Sequence, residues 1–384
     1  MKLYADLHIH LGSALGDPVK ITASRQLTLD AVIAGAKQKG LAMVGVVDSG
    51  CQGVLAEIGD KLEQGEWWEL EAGGFQADGV TIIPGCELET REGVHVLSYL
   101  PGWQSLREFS YWWQPRVTNS RLSTQHGRMS IRETLTATHN YGGLFGFAHA
   151  FTPHKGVYGC YTNRLTSLLG SEVSEIDFIE IGLSADTGMA RSIGECRQFA
   201  FLSNSDAHSV PNLAREYNLL EMNKPTFDGL AAALRDGGQG IIANYGMHPL
   251  LGKYYRTYCP VCDYIVAETP PVEACPRCGN RSVVMGVKDR ITMIADRDNV
   301  KPDNYYYRVP LLMVPGIGQR TAYRLIQAFG SELAVMETAA ISDLEAVAGL
   351  RVARTINDIR QQSLTIVAGG GGKYGHLTTD CNPD

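Results

Sequence analysis

Hydrophobic and polar positions in the first 245 residues alternate between short apolar runs and amphipathic stretches. Apolar runs of strand length are predicted at residues 2–8, 42–47, 81–87, 95–100, 144–149, 178–182 and 199–203. Between them the spacing predicts helices such as 28–39 and 131–140, each followed by a glycine-containing turn. Repeated strand–helix alternation in one stretch predicts an α/β fold in which the strands form a parallel barrel.

Polar residues capable of metal binding or acid–base chemistry follow many of these predicted strands. They are Asp6, His8, His10, Asp48, Glu87, His149, Asp206 and His208. In barrels of this kind the carboxyl ends of the strands meet at one face, and the chemistry is found there. The placement therefore predicts a functional site at that face.

The pattern also divides the chain into parts. Residues 1–250 form the predicted barrel, and an insert at 102–130 carries Trp112 and Trp113 among several arginines. The two tryptophans suit either a buried core or a nucleic-acid surface on which bases stack, with Arg116 and Arg121 as phosphate contacts. After the predicted barrel, residues 251–292 are rich in Cys, Pro and Gly, and residues 303–363 have a helical pattern. Residues 364–384 are predicted to be a Gly-rich flexible tail.

The first predicted strand ends in Asp6-Leu-His8-Ile-His10. Side chains alternate along a strand, so His8 and His10 point the same way and can share one metal ion. Any one histidine is more often an ordinary core or surface residue, but several strand ends offer ligands at once. The candidate metal ligands are His8, His10, Asp48, Glu87, His95, His149, Asp206 and His208. The candidate catalytic residues are His8, His10, Glu87 and Asp206, because a carboxylate such as Glu87 can bridge two ions.

Two short cysteine pairs define the second part of the chain. Cys259-Pro-Val-Cys262 and Cys275-Pro-Arg-Cys278 are separated by twelve residues. Two such knuckles close a tetrahedral four-cysteine zinc site, which is structural because no coordination position stays open. Unmetallated cysteines are the alternative. Such a module can bind nucleic acid or protein, or only support its neighbours.

The third part begins with Val314-Pro-Gly316-Ile-Gly318 and continues into a helical pattern that carries Arg320 and Arg324. This string resembles the helix-hairpin-helix of DNA repair proteins. Glycines allow the backbone to approach a phosphate, and the amides of the following helix can donate to it. A degenerate copy at 341–354 resembles the structural half of a paired unit, and a plain helical hairpin with a glycine cap is the alternative.

Composition and charge narrow the class of protein. The 384 residues are 44% hydrophobic and 20% charged, as in globular proteins, and no apolar run is long enough to span a membrane. The first residues lack the apolar stretch of a signal peptide, so a cytoplasmic, nucleoid-associated protein is expected. The net charge is −7, with 19 basic and 27 acidic residues up to position 250 and 15 and 14 after it. The acidic part either repels phosphate or uses its carboxylates on metal ions.

The strand-end motifs together resemble those of the polymerase and histidinol phosphatase (PHP) superfamily. They are Asp6-Leu-His8-Ile-His10, Gly85-Cys-Glu87, Val94-His95-Val-Leu, Ala148-His149 and Ser205-Asp206-Ala-His208. The resemblance implies a distorted seven-stranded βα barrel with two to three divalent ions. His8, His10 and Asp206 would hold one ion, with Glu87 bridging to a second that His95 and His149 hold. His208 would belong to a third.

One motif departs from the superfamily pattern. Where Thr-Asp-His is usual, this chain has Val47-Asp48-Ser49, so the expected histidine is missing. Asp48 is then the best available ligand. Asp17 is the candidate for the other usual ligand of the third ion, and a turn residue before Pro18 is its alternative.

The order of barrel, four-cysteine module and helix-hairpin-helix resembles the endonuclease Q family over almost the whole chain. The resemblance implies a metal-dependent endonuclease that cleaves DNA on the 5′ side of uracil, hypoxanthine, xanthine or an abasic site. It implies one structural zinc and active-site Zn, Mn or Mg, with damaged double-stranded DNA as partner and a replication clamp as a further candidate. Gly316, Gly318, Arg320, Arg324 and Lys155 are candidate DNA contacts, as are Arg116 and Arg121.

Besides a processive 3′–5′ exonuclease, as in polymerase-associated barrels, two other functions fit the same residues. One is a small-molecule phosphoesterase of the PHP type, in which the C-terminal parts are only structural. The other is a DNA-binding protein with weak catalysis, which the missing histidine after Asp48 would favour.

Overall fold

The structure, a computed structural model, describes residues 1–268, 270–298, 300–363 and 365–378, without the side chains of Asp236 and Thr378. Leu364 and residues 379–384 of the predicted tail lie outside the described residues. No helix of the described part is long and apolar enough to cross a membrane.

Eighteen β-strands are described. They are β1 (Lys2–Ile9), β2 (Ser13–Ala14), β3 (Asp17–Pro18), β4 (Met43–Val46), β5 (Trp68–Glu69), β6 (Phe75–Ala77), β7 (Val80–Glu89), β8 (His95–Tyr99), β9 (Leu144–Phe147), β10 (Phe178–Glu180), β11 (Ala200–Leu202), β12 (Tyr217–Glu221), β13 (Ile241–Gly246), β14 (Tyr258–Cys259), β15 (Tyr264–Ile265), β16 (Tyr305–Tyr307), β17 (Thr365–Val367) and β18 (His376–Thr378). All seven strands predicted from the apolar runs are present, with ends that differ by a few residues.

Eleven α-helices accompany them. They are α1 (Leu29–Lys39), α2 (Gln52–Glu63), α3 (Trp103–Trp113), α4 (Ile131–Asn140), α5 (Leu165–Leu169), α6 (Thr187–Arg191), α7 (Phe227–Gly238), α8 (Val287–Ile294), α9 (Gln319–Phe329), α10 (Ile341–Ala348) and α11 (Leu350–Arg360). Local signals explain several boundaries. Thr28 caps α1 and Gly40 closes it with a left-handed backbone, while Ser130 and Glu133 form a capping box on α4.

The α/β class is confirmed, but the predicted strand number and direction are wrong. One sheet contains twelve strands, ten of them in the order β11-β10-β9-β8-β7-β4-β1-β12-β13-β16, with β6 pairing β7 and β5 pairing β6. Strands β8 and β12 run antiparallel to both of their neighbours, so the sheet is mixed. Hairpin-type connections such as the one from β7 to β8 are short, and short connections join antiparallel strands.

Asparagine side chains link the β11 edge of this curled sheet to strands β1, β12 and β13. Asn218 exchanges two hydrogen bonds with the backbone of Ser203, at 2.9 Å each, and the amide of Asn244 donates to the carbonyl of Phe201. Asn204, after β11, accepts from the backbone N–H of Leu7 on β1. All three asparagines are buried. Buried amides that satisfy backbone groups in this way substitute for a continuous ladder, which is why strand β11 lies beside β1 and β12 without pairing as a strand.

A β-bulge shapes the end of β1. The register of β1 against β4 shifts between Asp6 and Ile9. Asp6 accepts hydrogen bonds from the backbone N–H groups of Ser205 and Ala214, at 3.0 Å each, whereas His8 turns to the metal-ligand cluster described below. The bulge therefore separates Asp6, a structural link, from the two histidines that follow it.

The two C-terminal parts pack against the barrel. The cysteine-rich part continues into α8, where Arg290 donates to the backbone carbonyls of Tyr158 and Thr162. The helical part begins with β16, which extends the barrel sheet next to β13. Arg308 then forms a buried two-point ion pair with Glu337 at 2.6 and 3.0 Å. The chain therefore has one continuous sheet that reaches into the helical part, where the sequence predicted helix alone.

The predicted tail is not a structureless segment where it is described. Strands β17 and β18 pair antiparallel, Thr365 with Thr378 and Val367 with His376. Glycine-rich composition predicted flexibility, but these glycines serve a turn that packs tightly against the rest of the chain. The difference arises because composition does not reveal tertiary hydrogen bonds.

Glu216, just before β12, is a buried acid with an incomplete hydrogen-bond set. Its Oε1 accepts from the backbone N–H of Met247 at 2.9 Å, and its Oε2 has no partner among the described residues. Burial raises the pKa of Glu216 to about 8, against 4.5 for an ordinary glutamate. The folded state therefore prefers the protonated acid.

We expect Glu216→Gln to be more stable than the wild type, by an amount that increases as pH rises. A group whose pKa is raised on folding stabilises the folded state fully at pH values below its pKa in the unfolded chain. This stabilisation is lost as the pH rises toward its pKa in the folded state. The difference between variant and wild type should grow between pH 5 and 8 by about 2 to 4 kcal/mol. Thermal unfolding of both proteins across this pH range measures it. Glu221→Gln on the same strand is exposed and should follow the wild type; a constant difference for Glu216→Gln would contradict the expectation.

Candidate metal centre and its cavity

The strand ends of the barrel bring imidazoles and carboxylates together around Glu87. Glu87 lies on β7 and is 2% exposed. His8 lies on β1 and His10 directly follows it, and their Nε2 atoms lie 3.7 and 3.3 Å from the Glu87 carboxylate. Asp206, in the loop after β11, places Oδ1 3.6 Å from His8 Nε2 and 3.4 Å from His10 Nε2. These four candidate catalytic residues thus surround one point.

A second group shares the same glutamate. His95 begins β8, and its Nδ1 lies 3.0 Å from Glu87 Oε1. His149 follows β9, and its Nε2 lies 3.2 Å from the same oxygen and 3.3 Å from His95 Nδ1. Glu87 therefore lies between two sets of ligand atoms, the position of a bridging carboxylate.

A third group contains His10, Asp206 and His208. Potential ligand atoms lie within 4.8 Å of one another in three groups of three residues: His8, His10 and Glu87; Glu87, His95 and His149; and His10, Asp206 and His208. The rings of His10 and His208 are 4.7 Å apart. His208 thus lies at the edge of the first group, close enough to share His10 and Asp206 with it.

His8 and His10 are each held from behind by a carboxylate. Glu180 accepts from Nδ1 of His8 at 3.0 Å, and Asp48 accepts from Nδ1 of His10 at 2.9 Å. An ionised carboxylate only accepts, so both Nδ1 atoms carry a proton, and the two Nε2 atoms face the centre, where each can bind a metal ion or a second proton. This arrangement of carboxylate, imidazole and metal is the usual surrounding of a metal-bound histidine.

The other two histidines are held in the same manner. Nε2 of His95 lies 3.5 Å from Oε2 of Glu89, and Nδ1 of His149 lies 3.1 Å from the hydroxyl of Thr152. In both rings the opposite nitrogen points at Glu87. All four imidazoles therefore direct one nitrogen at the centre and the other at a fixed polar partner.

This donor set fits divalent metal ions. Nε2 of His8 and Nε2 of His10 are only 3.3 Å apart, and both face the Glu87 carboxylate. Lone pairs on two nitrogens at this distance repel each other unless a cation lies between them. Nitrogen and carboxylate donors in these numbers suit Zn, Mn or Mg, depending on geometry and availability.

The charges at the centre favour added positive charge. Burial raises the pKa of Glu87, but Lys20 and His95 lower it more, so that it lies well below its ordinary range. Burial opposes protonation of His10, yet Asp48 and Asp206 raise its pKa well above the ordinary value. Carboxylates thus dominate the electrostatics of the centre.

Two of the candidate ligands have strained backbones. Asp206 has φ of +45° and His149 has φ of +29°, both in the left-handed region. Residues other than glycine adopt this region at an energetic cost of about 1–3 kcal/mol, and functional sites are where such strain concentrates. The loops therefore hold both side chains in positions that ordinary backbone geometry would not give.

Asp48 does not lie in any of the three ligand groups, and its role as a metal ligand stays a prediction. Its Oδ1 accepts from His10 and from the hydroxyl of Ser123, and its Oδ2 accepts from the backbone N–H of Leu11 at 2.7 Å. Both oxygens are thereby occupied. Asp48 orients His10 by binding the ring nitrogen that faces away from the centre.

The other candidates for a third ion also lie outside the ligand groups. The hydroxyl of Ser49 donates to the carbonyl of Val46, so it faces its own strand. Asp17 lies exposed on β3 and lines a separate cleft together with Arg121. Its alternative as a turn residue before Pro18 is the one that fits. Of the predicted third-ion residues, His208 alone reaches the centre.

Three supporting residues were missed by the sequence reasoning. Glu180 ends β10, one of the predicted strands, and also accepts from the backbone N–H of His149 at 2.8 Å. A carboxylate inside an apolar run was the available signal. Glu89 follows Glu87 by two residues, so period-two alternation could have found it. Thr124, in the 102–130 insert, donates to Glu87 at 2.7 Å and had no signal in the sequence.

Lys20, between β3 and α1, lies beside Glu87. Its Nζ donates to Glu87 Oε2 at 3.2 Å and to the hydroxyl of Thr124 at 2.6 Å. Its side chain is 15% exposed. The lysine therefore places a fixed positive charge in the wall of the centre.

A cavity of about 720 Å³ opens next to the metal-ligand residues. It is lined by Thr22, His95, His149, Thr152, His154, Lys155, Glu180, Gly182, Leu183, Ser184, Asn204, Asp206, His208, Asn212, Arg215, Lys253, Tyr254 and Tyr374. Barrel loops, the start of the cysteine-rich part and the C-terminal hairpin all contribute to this wall. The volume is within the roughly 300–1,000 Å³ range of small-ligand sites.

The four cysteines of the second part form a compact cluster. Cys259 and Cys262 belong to one knuckle and Cys275 and Cys278 to the other, and their Sγ atoms lie within 4.8 Å of one another. Two Sγ pairs are 3.6 Å apart. Zinc–sulfur bonds of about 2.3 Å in a tetrahedron place sulfurs about 3.8 Å apart, so the cluster has the dimensions of a zinc site.

The predicted DNA contacts of the barrel lie in different places. Lys155 lines the cavity and pairs with Glu89 at 2.6 Å. Arg116 stacks on Trp112 at 4.6 Å, and Arg121 lies at the separate cleft of Asp17. Trp113 is 3% exposed, which confirms the core alternative for that ring. Trp112 also stacks on Phe109 and is half-buried.

In the third part, Gly316 has φ of +89°, which a non-glycine residue rarely adopts, and Gly318 precedes the first residue of α9. A side-chain carbon at Gly318 would meet nothing within 4 Å, so the N-terminus of α9 is open to solvent. Arg320 and Arg324 are exposed and make no ion pair with a described residue. The first helix of the predicted hairpin is only a 3₁₀ turn, Leu311–Met313.

Comparison with known proteins gave close relatives over the whole chain. The uncharacterized protein YqxK of Bacillus subtilis (strain 168) is 38% identical over 98% of this chain and 99% of its own length. The crystal structure of the lesion-specific endonuclease PfuEndoQ from Pyrococcus furiosus matches with a TM-score of 0.84 and 32% identity, covering 98% of this chain and 95% of that one. No family model matches.

A second solved structure is equally similar. It is the complex of endonuclease Q with a 27-mer duplex substrate that has an abasic lesion at the active site. Its TM-score is 0.84 at 32% identity, covering 99% of this chain and 97% of that chain. The likeness extends over barrel, cysteine-rich part and helical part alike.

The position of Asp48 behind His10 leads to a metal-binding prediction. Asp48→Asn keeps the shape of the side chain but removes the charged acceptor that fixes the ring of His10. We expect metal affinity of the barrel to fall roughly 10- to 100-fold, as for other residues that support a metal-bound histidine. Elemental analysis after dialysis against graded chelator measures this, and the predicted metal of the cysteine cluster should not be affected.

Asp17→Asn is the matched control. Asp17 offered the same chemistry in the sequence but lies exposed in the β2–β3 hairpin, away from the centre. It should bind metal as the wild type does. Equal losses in both variants would show that the distinction between the two aspartates is wrong.

Proposed function

The chain belongs to the endonuclease Q family, and we propose that it is a metal-dependent DNA repair endonuclease that cleaves the phosphodiester on the 5′ side of a damaged base. The damage would be a deaminated base, namely uracil, hypoxanthine or xanthine, or an abasic site. One observation carries the proposal: four imidazoles and two acids converge on a point beside an open cavity, in a chain that superposes along its length on endonuclease Q.

The residues present identify which side chains would hold ions. His8, His10 and Asp206 would hold one and His95 and His149 the other, with Glu87 between them. Divalent ions in such a pair activate water and stabilise the charge that develops on a phosphate during hydrolysis. His208 lies where a further ion could share His10 and Asp206. The identity of the metals stays a prediction.

The chain itself supplies positive charge around the cavity. Lys253 and Arg215 line it, and Lys155 does so while paired with Glu89. Lys20 adds a charge beside Glu87. These cations would attract the DNA backbone to a part of the protein whose formal charge is negative.

The substrate class follows from the shape of the site. The ligand atoms are buried at the strand ends, so a phosphate in a regular duplex reaches them only if the DNA is deformed. Turning a nucleotide out of the helix costs a few kcal/mol, and least for a mispaired or missing base. The cavity of about 720 Å³ provides room for a nucleotide turned out of the stack. Both points support lesions over intact DNA as substrate.

The helical part would bind the DNA backbone beyond the lesion. The open N-terminus of α9 presents backbone amides, and the positive end of the helix dipole favours a phosphate there. Such contacts fix position without reading sequence. A replication clamp as a further partner stays a prediction.

We expect the two arginines of α9 to contribute to DNA affinity. In Arg320→Ala with Arg324→Ala, affinity for an abasic duplex should fall at every sequence tested, because phosphate contacts are lost. The slope of log affinity against log salt should decrease by about one for each contact removed. Fluorescence anisotropy at several salt concentrations measures both quantities.

Arg351→Ala with Arg354→Ala is the matched control. Both residues are exposed on α11, in the degenerate copy of the motif. If that copy is only structural, affinity and salt slope should match those of the wild type. A larger effect here than on α9 would contradict the assignment of the two halves.

The central experiment is a cleavage gel. End-labelled duplexes with uracil, hypoxanthine, an abasic site or no lesion are incubated with wild type, Asp206→Asn and Asp17→Asn, with and without chelator. We expect one nick 5′ to each lesion, leaving a 3′-hydroxyl and a 5′-phosphate. Asp206→Asn should lower the rate roughly 1,000-fold or more, since several kcal/mol of transition-state stabilisation is lost. Asp17→Asn should cleave as the wild type.

Other outcomes would favour other functions. Equal cleavage of undamaged DNA would exclude a repair nuclease, and a ladder of products would indicate an exonuclease. Hydrolysis of a chromogenic phosphate ester without nicking would indicate a small-molecule phosphoesterase. Binding of lesion DNA with no metal-dependent nicking would leave a DNA-binding protein.

A further inference from the structure

The C-terminal hairpin of β17 and β18 is fastened along the segment that joins the barrel to the cysteine-rich part. Backbone N–H groups of Gly369 and Gly375 donate to the carbonyls of Leu250 and Leu251, at 2.7 and 3.0 Å. Gly372 donates to the carbonyl of Lys253. The hairpin therefore follows residues 250–253 closely, and these residues lead directly into the cavity wall.

The glycines are required by this close approach. A side-chain carbon at Gly369 would lie 2.5 Å from the backbone nitrogen of Gly375. One at Gly375 would lie 2.4 Å from the carbonyl oxygen of Val367. Real side chains do not tolerate such distances, so the glycine content of this segment specifies a packed turn.

The turn presents Tyr374 to the cavity. The Nζ of Lys253 lies 4.5 Å from the centre of the tyrosine ring, and Arg215 donates to the tyrosine hydroxyl at 3.3 Å. Tyr374 is nevertheless 41% exposed, and it lines the same cavity as Asp206 and His149. The ring is thus oriented by two cations, with much of its surface left uncovered.

Arg215 connects this tyrosine to the metal centre. Its Nε donates to the carbonyl of Ser205 at 2.6 Å, and its Nη2 donates to the carbonyl of Asp206 at 3.2 Å. One guanidinium therefore holds both the strained loop that supplies Asp206 and the hydroxyl of Tyr374. The position of the ring is fixed relative to the point where the phosphate would be cleaved.

We propose that Tyr374 is a substrate-binding residue on which a base of the nucleotide adjoining the lesion stacks, while Lys253 and Arg215 lie near its phosphates. This rests on the proposed function and adds the C-terminal hairpin to its active site. An exposed ring flanked by cations is the combination by which proteins hold unpaired nucleotides, since every base has a face that can stack. When a lesion leaves the stack, its neighbour loses a stacking partner, and Tyr374 would replace it.

The test uses 2-aminopurine, whose fluorescence falls when it stacks. It is placed on the 5′ or the 3′ side of an abasic site in two duplexes, and each is mixed with metal-loaded protein in a stopped-flow instrument, before product forms. We expect the wild type to quench one of the two probes. Tyr374→Ala should lose this quenching, and its kcat/KM on the unlabelled abasic duplex should fall roughly 10-fold, as for other base-stacking residues. Tyr374→Phe, which keeps the ring, should retain both.

Tyr161→Ala is the matched control, because Tyr161 is 44% exposed and does not line the cavity. It should quench and cleave as the wild type. Metal content and melting temperature of all variants are measured alongside. Unchanged quenching and kcat/KM in Tyr374→Ala, with an active wild type, would overturn this inference and leave the proposed function intact.

A structural role would give a different result. If Tyr374→Phe were as impaired as Tyr374→Ala, the contact of the hydroxyl with Arg215 would be what matters, and the stacking role would be refuted. If the wild type neither bound nor cleaved any lesion duplex, both the proposed function and the inference would fall.

Discussion

The candidate metal centre depends on imidazole nitrogens that are held a few ångströms apart in a buried place. Nε2 of His8 and Nε2 of His10 are 3.3 Å apart, and each ring is fixed by a carboxylate on its opposite nitrogen. Left free, these rings would rotate apart or protonate. The carboxylates of Glu180 and Asp48 orient the rings and favour positive charge at the centre, which a bound metal ion or protons on the Nε2 atoms can supply.

The carboxylates behind the histidines account for part of the acidic composition of the barrel. The first 250 residues carry 27 acidic and 19 basic side chains, a balance that predicts either repulsion of phosphate or use of the carboxylates on metal ions. Only Glu87 and Asp206 place oxygens in the ligand groups. Asp48, Glu89 and Glu180 instead lie behind histidines. Several of the acids therefore contribute to the centre indirectly, by orienting the imidazoles.

The cavity depends in turn on contacts between parts that are distant in the chain. Arg290 fastens the cysteine-rich part to the barrel, and strand β16 extends the barrel sheet into the helical part. These contacts bring Lys253 and Tyr374 to the same wall as His149. A closed four-cysteine cluster supplies no open coordination position, so its contribution to the site is to hold the chain around Lys253 in place.

The sequence by itself determined the elements and the ligand types. Apolar runs predicted all seven strands that carry the centre, spacing predicted the cysteine cluster, and strand-end histidines predicted the groups around Glu87, because these signals are local. It did not determine the mixed strand directions, the role of Asp48 or the hairpin around Tyr374. The last two depend on partners far away in the chain, His10 for Asp48 and Arg215 for Tyr374, and so does the closure of the sheet, which uses Asn218. Only tertiary packing decides which of several chemically equivalent side chains faces an ion and which stands behind a ligand.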